Sequence, residues 1–390
     1  MLMVDPFSLN LRHLRALVAV SESGGIGTAA RMVNLTQPAV TQAIAKLEKV
    51  LGVRLFERDG AGTRSTEAAE RFCARIRTAM RLIGSNRTTT AQMRAFIALA
   101  RAGSYSGAAK STGLSEPTLH RTVGDLALGM GEQLVVRRGK GVTLTTRGRA
   151  IARNLNLARL ELESGLAEIA ELEGREVGRI AIGAMSLSRA RLLPAAILAF
   201  NARFPGVDVA VIEGSHSELS GPLRNGDIDI MIGALRPAAA VKDLTQIPLF
   251  VDRPVVVGKA SHALPSRDGP LNEAELVQYP WILPSIDTPL RIMWEAMFKE
   301  AGLASPRVAI ECGSVAAIRH MLMHSDALTL LSPEQVAAEM AAGWLRRIAD
   351  APRSIARTIG ITSRPKWRPT LLQQRFLDHV MHEGSIFGDA

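Results

Sequence analysis

Cysteine is almost absent, with Cys73 and Cys312 the only two in 390 residues. Neither has a His or Cys partner at metal-ligand spacing, so two inert thiols in a reducing compartment are expected. Aromatics are scarce too, at 4% with only two tyrosines, whereas Ala is abundant, which favours a helix-rich soluble chain. No apolar run reaches the roughly 18–20 residues of a membrane helix. The opening MLMVDPFSLN has no basic stretch followed by an apolar one, so no secretory signal is read and a cytoplasmic protein is expected. Catalytic signatures are missing as well: there is no Gly-x-Ser-x-Gly elbow and no phosphate-binding Gly loop. His320-x3-His324 puts two imidazoles on one helix face but offers no third ligand. Asp227 and Asp229 read as turn chemistry. Neither an enzyme nor a cofactor nor a metal is expected.

What the chain does have is lopsided charge. Residues 1–150 hold 22 Lys and Arg against 10 Asp and Glu, and residues 151–390 hold 25 against 27. The net charge of +10 therefore resides at the amino end, as in a chain whose first part meets a polyanion.

That part is also repetitive. Residues 14–69 align with 93–148 at an offset of 79 without a gap, and 15 of the 56 positions are identical. Among them are Gly24/Gly103, Pro38/Pro117, Leu47/Leu126, Gly52/Gly131 and Arg58/Arg137. A duplicated folding unit explains the match. In the first copy, a helix from near Leu11 stops at Gly24-Gly25, and a short second helix contains Ala29-Ala30. Thr36 caps a third helix with Pro38 in its first turn. Val40, Ile44, Leu47 and Leu51 give that helix an inward stripe, and Thr41, Gln42, Lys46 and Lys49 face out. Val53–Phe56 then reads as a strand and residues 59–62 as a tight turn. Three helices and a hairpin make a winged helix-turn-helix, whose third helix offers polar groups to a major groove.

The stretch LRHLRALVAVSESGGIGTAARMVNLTQPAVTQAIAKLEKVLGVRLFER (11–58) resembles the DNA-binding signature of LysR-type regulators. The resemblance implies that Gln37, Pro38 and Thr41, with the neighbouring Gln42, line the groove-facing start of the recognition helix and that Arg58 holds the backbone; Thr36 beside them and Arg64 in the wing are expected DNA contacts as well. The family's Leu-Thr-x-x-Gly wing ending is lost in copy one, at Ser65–Ala69, and retained in copy two, at Leu144–Gly148. Copy two keeps the core but changes the surface: Glu116 replaces Gln37, His120 and Arg121 replace Thr41 and Gln42, and Asp125 and Leu128 replace Lys46 and Lys49. Copy one is expected to supply most base reading. Copy two either adds contacts through His120, Arg121, Arg137, Arg138 and Lys140 or packs against copy one.

Beyond it, residues 149–173 have helical spacing interrupted only by Gly165. They resemble the family's linker helix, which pairs in dimers, so this second helix is the expected dimerising one. From Gly178, short strands alternate with helices in a largely parallel α/β pattern: 179–183, 207–212, 228–232, 255–258, 281–283, 308–312 and 327–331. GRIAIGA, LLPAAILAFNARFPGVDV and LRNGDIDIMIGAL resemble the LysR effector domain, and YPWILPSIDTPLR (279–291) the branch of galactose-binding-protein-type regulators.

The expected fold is therefore multidomain, with α-rich tandem winged helix-turn-helix units preceding a two-lobed α/β effector domain like a periplasmic binding protein. Its parts are 1–86, 87–148, a linker helix at 149–175, and 176–390. Lobe one covers 176–254 plus 353–390, including a returning strand at 355–362, and lobe two covers 255–352. Ligands in such sheets bind beyond strand carboxyl ends. Ser186, Ser188, Ser285, Thr288 and Ser314 are the expected ligand hydroxyls, with Arg291 near them. Expected partners are double-stranded promoter DNA, an anionic or hydroxyl-rich inducer, further copies forming a dimer or tetramer, and RNA polymerase. An architectural DNA-binding protein with a ligand-blind carboxyl half is the competing reading.

Overall fold

A computed structural model describes residues 4–59, 62–138, 141–266, 273–352 and 354–388. The amino-terminal part runs α1 (Leu11–Ser23), α2 (Ile26–Met32), α3 (Gln37–Leu51), β1 (Phe56–Asp59), β2 (Gly62–Ser65) and α4 (Glu67–Ile83). It repeats as α5 (Thr90–Ala102), α6 (Tyr105–Thr112), α7 (Glu116–Met130), β3 (Val135–Arg138), β4 (Gly141–Leu144) and α8 (Thr146–Leu172). These two blocks are called units one and two.

The units agree in detail at the offset of 79. Gly24 and Gly103, like Gly52 and Gly131, close their helices with φ between 64° and 75°, where a side chain is disfavoured. Thr66 and Thr145 each send the backbone N–H to Leu55 or Leu134, and each hydroxyl receives the N–H of Ala69 or Gly148. The first strand differs from expectation, starting at Phe56 rather than Val53. Leu55 is fully buried, its N–H held by Glu48 and its carbonyl by Thr66, so this stretch anchors the wing to the core instead of joining the hairpin.

One continuous core runs from Leu9 to Ile169 and includes both units. Its centre is the antiparallel pair α4–α8. Phe72 and Arg75 lie against Gly165, where a Cβ would meet the Phe72 ring at 2.5 Å. Glu171, near the end of α8, feels the charge of Arg71 near the start of α4. From Leu155 to Leu172 no residue of α8 is exposed. The helix expected to pair between chains packs here on α4 of its own chain.

The carboxyl part has two lobes. Lobe one contains β5 (Gly178–Ala184), α9 (Leu192–Arg203), β6 (Val207–Glu213), α10 (His216–Asn225), β7 (Ile230–Ala234) and β8 (Thr245–Asp252). Lobe two has β9 (Val255–Lys259), α11 (Glu273–Leu276), β10 (Trp281–Leu283), α12 (Pro289–Glu300), β11 (Val308–Glu311), α13 (Val315–Met323), β12 (Thr329–Leu331), α14 (Pro333–Ala341) and β13 (Leu345–Asp350). The chain returns to lobe one with β14 (Arg357–Ser363) and α15 (Leu371–Gly388). The lobe one sheet is ordered β6-β5-β7-β14-β8, and the lobe two strands form β12-β9-β13 and β10-β11.

The sheets are less parallel than their alternation with helices suggests. β14 is antiparallel to both β7 and β8, and β9 to both β12 and β13. Strands β8 and β13 had no sequence expectation. Both carry the chain between lobes and sit at sheet edges, where half-exposed residues blur the apolar run. A buried aromatic cluster of Trp281, Trp294 and Phe298 fills lobe two.

Candidate nucleic-acid interface and effector cleft

Helix α3 begins as its sequence dictates. Thr36 caps it by accepting the N–H of Ala39 at 3.4 Å, and Pro38 occupies the first turn. Val40, Ile44, Leu47 and Leu51 are buried, which rotates the remaining residues outward. Thr36, Gln37, Pro38, Thr41 and Gln42 are all exposed, with Lys46 and Lys49 further along the same helix. The Thr41 hydroxyl donates back to the Gln37 carbonyl at 3.0 Å. In the adjoining wing, Arg64 is exposed on β2 and Arg58 lies on β1, opposite Thr63. The wing touches its own unit through Thr63 N–H to the Gly24 carbonyl and a Ser65–Ser21 hydroxyl contact.

Unit two presents a different surface on the same frame. Ser115 caps α7, and Leu119, Val123 and Leu126 face inward. His120 is exposed but held, its ring stacked on Tyr105 with centroids 3.5 Å apart. Arg121 is exposed, and Leu128 is 82% exposed where unit one has Lys49. Arg137 and Arg138 lie on β3; Lys140 falls outside the described residues.

The units are tied to lobe one by polar contacts that no motif announced. Arg75 of α4 is 1% exposed. Its guanidinium reaches Glu168 at 2.5 Å, Glu161 at 3.2 Å and the carbonyl of Arg368 at 3.0 Å. Burial alone would lower its pKa, and the two glutamates, Glu168 foremost, more than reverse this. Arg101 of α5 pairs with Asp227 at 3.0 Å, and Asn156 of α8 donates to the Asn225 carbonyl at 2.6 Å. Asp227 closes a turn after Gly226, as its sequence suggested. Asp229 is instead half-buried, accepting from Ala181 N–H at 2.9 Å, and desolvation raises its carboxyl. The lone Gly165 and the Glu161–Glu168 spacing on one helix face were the only sequence hints of this junction.

The hydroxyls expected at an effector site are distributed unevenly. Ser186 lies between the lobes, its hydroxyl 3.4 Å from Gln335 Nε2 at the start of α14. Arg191 and Glu334 bridge the same gap at 3.6 Å. Ser285 and Ser314 follow the ends of the adjacent parallel strands β10 and β11, and both are exposed. Thr288 and Ser314 each cap the following helix, and the Thr288 hydroxyl donates to the Ser285 carbonyl. Arg291, on α12, is engaged by Glu295 at 2.7 Å. Ser188 departs from expectation: it is fully buried and its hydroxyl is spent on the Met185 carbonyl at 2.8 Å. A cavity of about 1040 Å³ lies elsewhere, between the helix pair and lobe one, and none of these five hydroxyls lines it.

Comparison with known proteins decides what such a chain is. Residues 173–385 match the LysR substrate binding domain, and the bacterial regulatory helix-turn-helix of the lysR family matches twice, over 11–70 and 90–149. The regulator GalR of Pseudomonas putida is 32% identical over 375 residues, covering 93% of this chain and 94% of its own. The chain belongs to the LysR family of transcriptional regulators.

Solved LysR structures share its fold. A full-length OxyR variant from Pseudomonas aeruginosa superposes with a TM-score of 0.56 at 22% identity, covering 77% of this chain and 96% of its own. LysG from Corynebacterium glutamicum with bound effector gives 0.53 at 18% identity, covering 76% and 98%. LysR regulators bind DNA and small-molecule effectors, form oligomers and are not enzymes. Among the described residues, no helix is long and apolar enough to cross a membrane, and no three His, Cys, Asp or Glu side chains gather as metal ligands.

Proposed function

We propose that this LysR regulator carries its winged helix-turn-helix twice, as units one (1–86) and two (87–148), with unit one supplying most of the sequence reading. The exposed polar first turns of α3 carry this reading: Gln37, Thr41 and Gln42 stand outward on a helix whose opposite face is locked in the core. Gln can pair two hydrogen bonds with an adenine edge, and a hydroxyl suits either base edge. Arg58 and Arg64 in one wing, with Arg121, Arg137, Arg138 and Lys140 in unit two, neutralise phosphates and set the register. His120 supports that surface through its stack on Tyr105.

The inducer, an anionic or hydroxyl-rich small molecule, enters between the lobes near Ser186, Ser285, Thr288 and Ser314. Closing the lobes shifts lobe one against the helix pair through Arg75 and Arg101, and so changes how the units sit on a promoter. The regulator acts in the cytoplasm on promoter DNA as a dimer or tetramer, within reach of RNA polymerase.

Binding measured after Gln37→Ala and Arg121→Ala tests this. The first change should relax sequence preference by about 1–3 kcal/mol at one base pair. The second should weaken all duplexes alike and lower the salt slope by roughly 1. A larger loss of preference from Arg121→Ala would reverse the assignment.

A further inference from the structure

Helix α4 and the first seventeen residues of α8 are counterparts in the repeat, and they pack antiparallel on each other. Thr78 and Leu82 of α4 share a cavity wall with Leu157 and Glu161 of α8. At the offset of 79, Leu157 is the counterpart of Thr78, and Glu161 that of Leu82. Packed antiparallel, with Phe72 and Arg75 of α4 against Gly165 of α8, the two helices are related by an approximate half turn. Each unit is fixed to its own member of the pair, Glu22 of α1 reaching Arg77 of α4 and Arg101 of α5 reaching Asn156 of α8, again at counterpart positions. The rotation that exchanges the helices thus exchanges the units, α3 included with α7. Duplex DNA has a dyad of the same kind, and helices related by it enter successive major grooves on one face.

We propose that one chain straddles one DNA dyad, with α3 in one major groove and α7 in the next, so that the operator is built of two unlike half-sites. The proposal rests on the DNA-binding reading above and extends it. The two recognition helices differ on their groove-facing surfaces, with Gln37, Thr41 and Gln42 against Glu116, His120 and the phosphate-binding Arg121. A strict half-site for unit one therefore lies beside a looser half held by unit two. The packing of α8 fits this arrangement, because no residue from Leu155 to Leu172 is fully exposed and the face it turns to α4 is already occupied. Further copies associate through other surfaces, and each adds its own unlike pair along the DNA.

Selection from random duplexes with the full-length protein, followed by hydroxyl-radical footprinting on the best sequence, tests the proposal. The expected motif has one strict half and, about 10 base pairs away centre to centre, a second protected groove of weaker preference. Arg121→Ala should remove protection from the second groove alone, and Gln37→Ala should degrade only the strict half. Both positions are exposed, so neither variant threatens folding. Recovery of two identical strict halves in inverted orientation about 10 base pairs apart would overturn the proposal, as it would mean that unit one of each of two chains forms the reader. Protection unchanged by Arg121→Ala would also overturn it. Absence of any protection with the unaltered protein would sink the DNA-binding reading itself, a distinct result.

Discussion

Units one and two share a backbone and disagree about their surfaces. Their helix-closing glycines, caps and wing anchors coincide, whereas outward positions have drifted from Lys46 and Lys49 to Asp125 and Leu128. Core positions tolerate little because each touches many neighbours at close packing, and surface positions are free to change readout. Glu116 illustrates this freedom. It repels phosphate, yet a carboxylate in the first turn of α7 suits that helix. The larger asymmetry lies in the last helices. α4 has 17 residues and α8 has 27; the extra length of α8 covers α4 through Glu168, and the part shared with α4 meets lobe one through Asn156.

The sharpest way to break this arrangement is at Arg75, which has no counterpart contact in unit two. Arg75→Leu leaves Glu161 and Glu168 facing each other in a buried junction, and thermal unfolding should show a loss of about 3–5 kcal/mol. Adding Glu168→Gln should recover part of it; no recovery would mean the loss is packing alone.

Next comes the wing ending, where the units differ by one methyl. Gly148 sits so close to the Leu134 carbonyl that a Cβ would approach it to 2.0 Å. Gly148→Ala should cost about 1–3 kcal/mol by chemical denaturation. The reverse change in unit one, Ala69→Gly, should cost about 1 kcal/mol through backbone entropy. Equal effects would show that the wings are docked alike.

Restoring charge is the mildest change. Leu128→Lys gives unit two what unit one has at Lys49, and stability should move by under about 0.5 kcal/mol. The slope of log affinity against log salt should steepen by about one phosphate contact. The thiols give a further contrast. Burial pushes Cys73 up to about 11, so alkylation at neutral pH should modify the half-buried Cys312 first.

Much of this was legible beforehand. The spacing of Val40, Ile44, Leu47 and Leu51 fixed which face of α3 is exposed, and the offset of 79 placed every helix of unit two. Most strands were legible as short apolar runs, but β8 and β13 were not, because edge strands need not be apolar. Among the expected ligand hydroxyls, Ser186 lies between the lobes, whereas Ser188 is buried on the Met185 carbonyl, which the sequence did not announce because a hydroxyl's partner depends on how its turn closes.

The sequence by itself determined the elements, their caps, the repeat and the sign of the charge at each end. These follow from periodicity, backbone sterics and composition, all local properties. Only the tertiary structure decided that α8 takes α4 of its own chain as partner, and that Arg75 ties both to lobe one. An apolar stripe specifies that a helix must be covered and says nothing of which surface covers it. That choice depends on shape across distant segments, here on a glycine at 165 leaving room for a ring at 72.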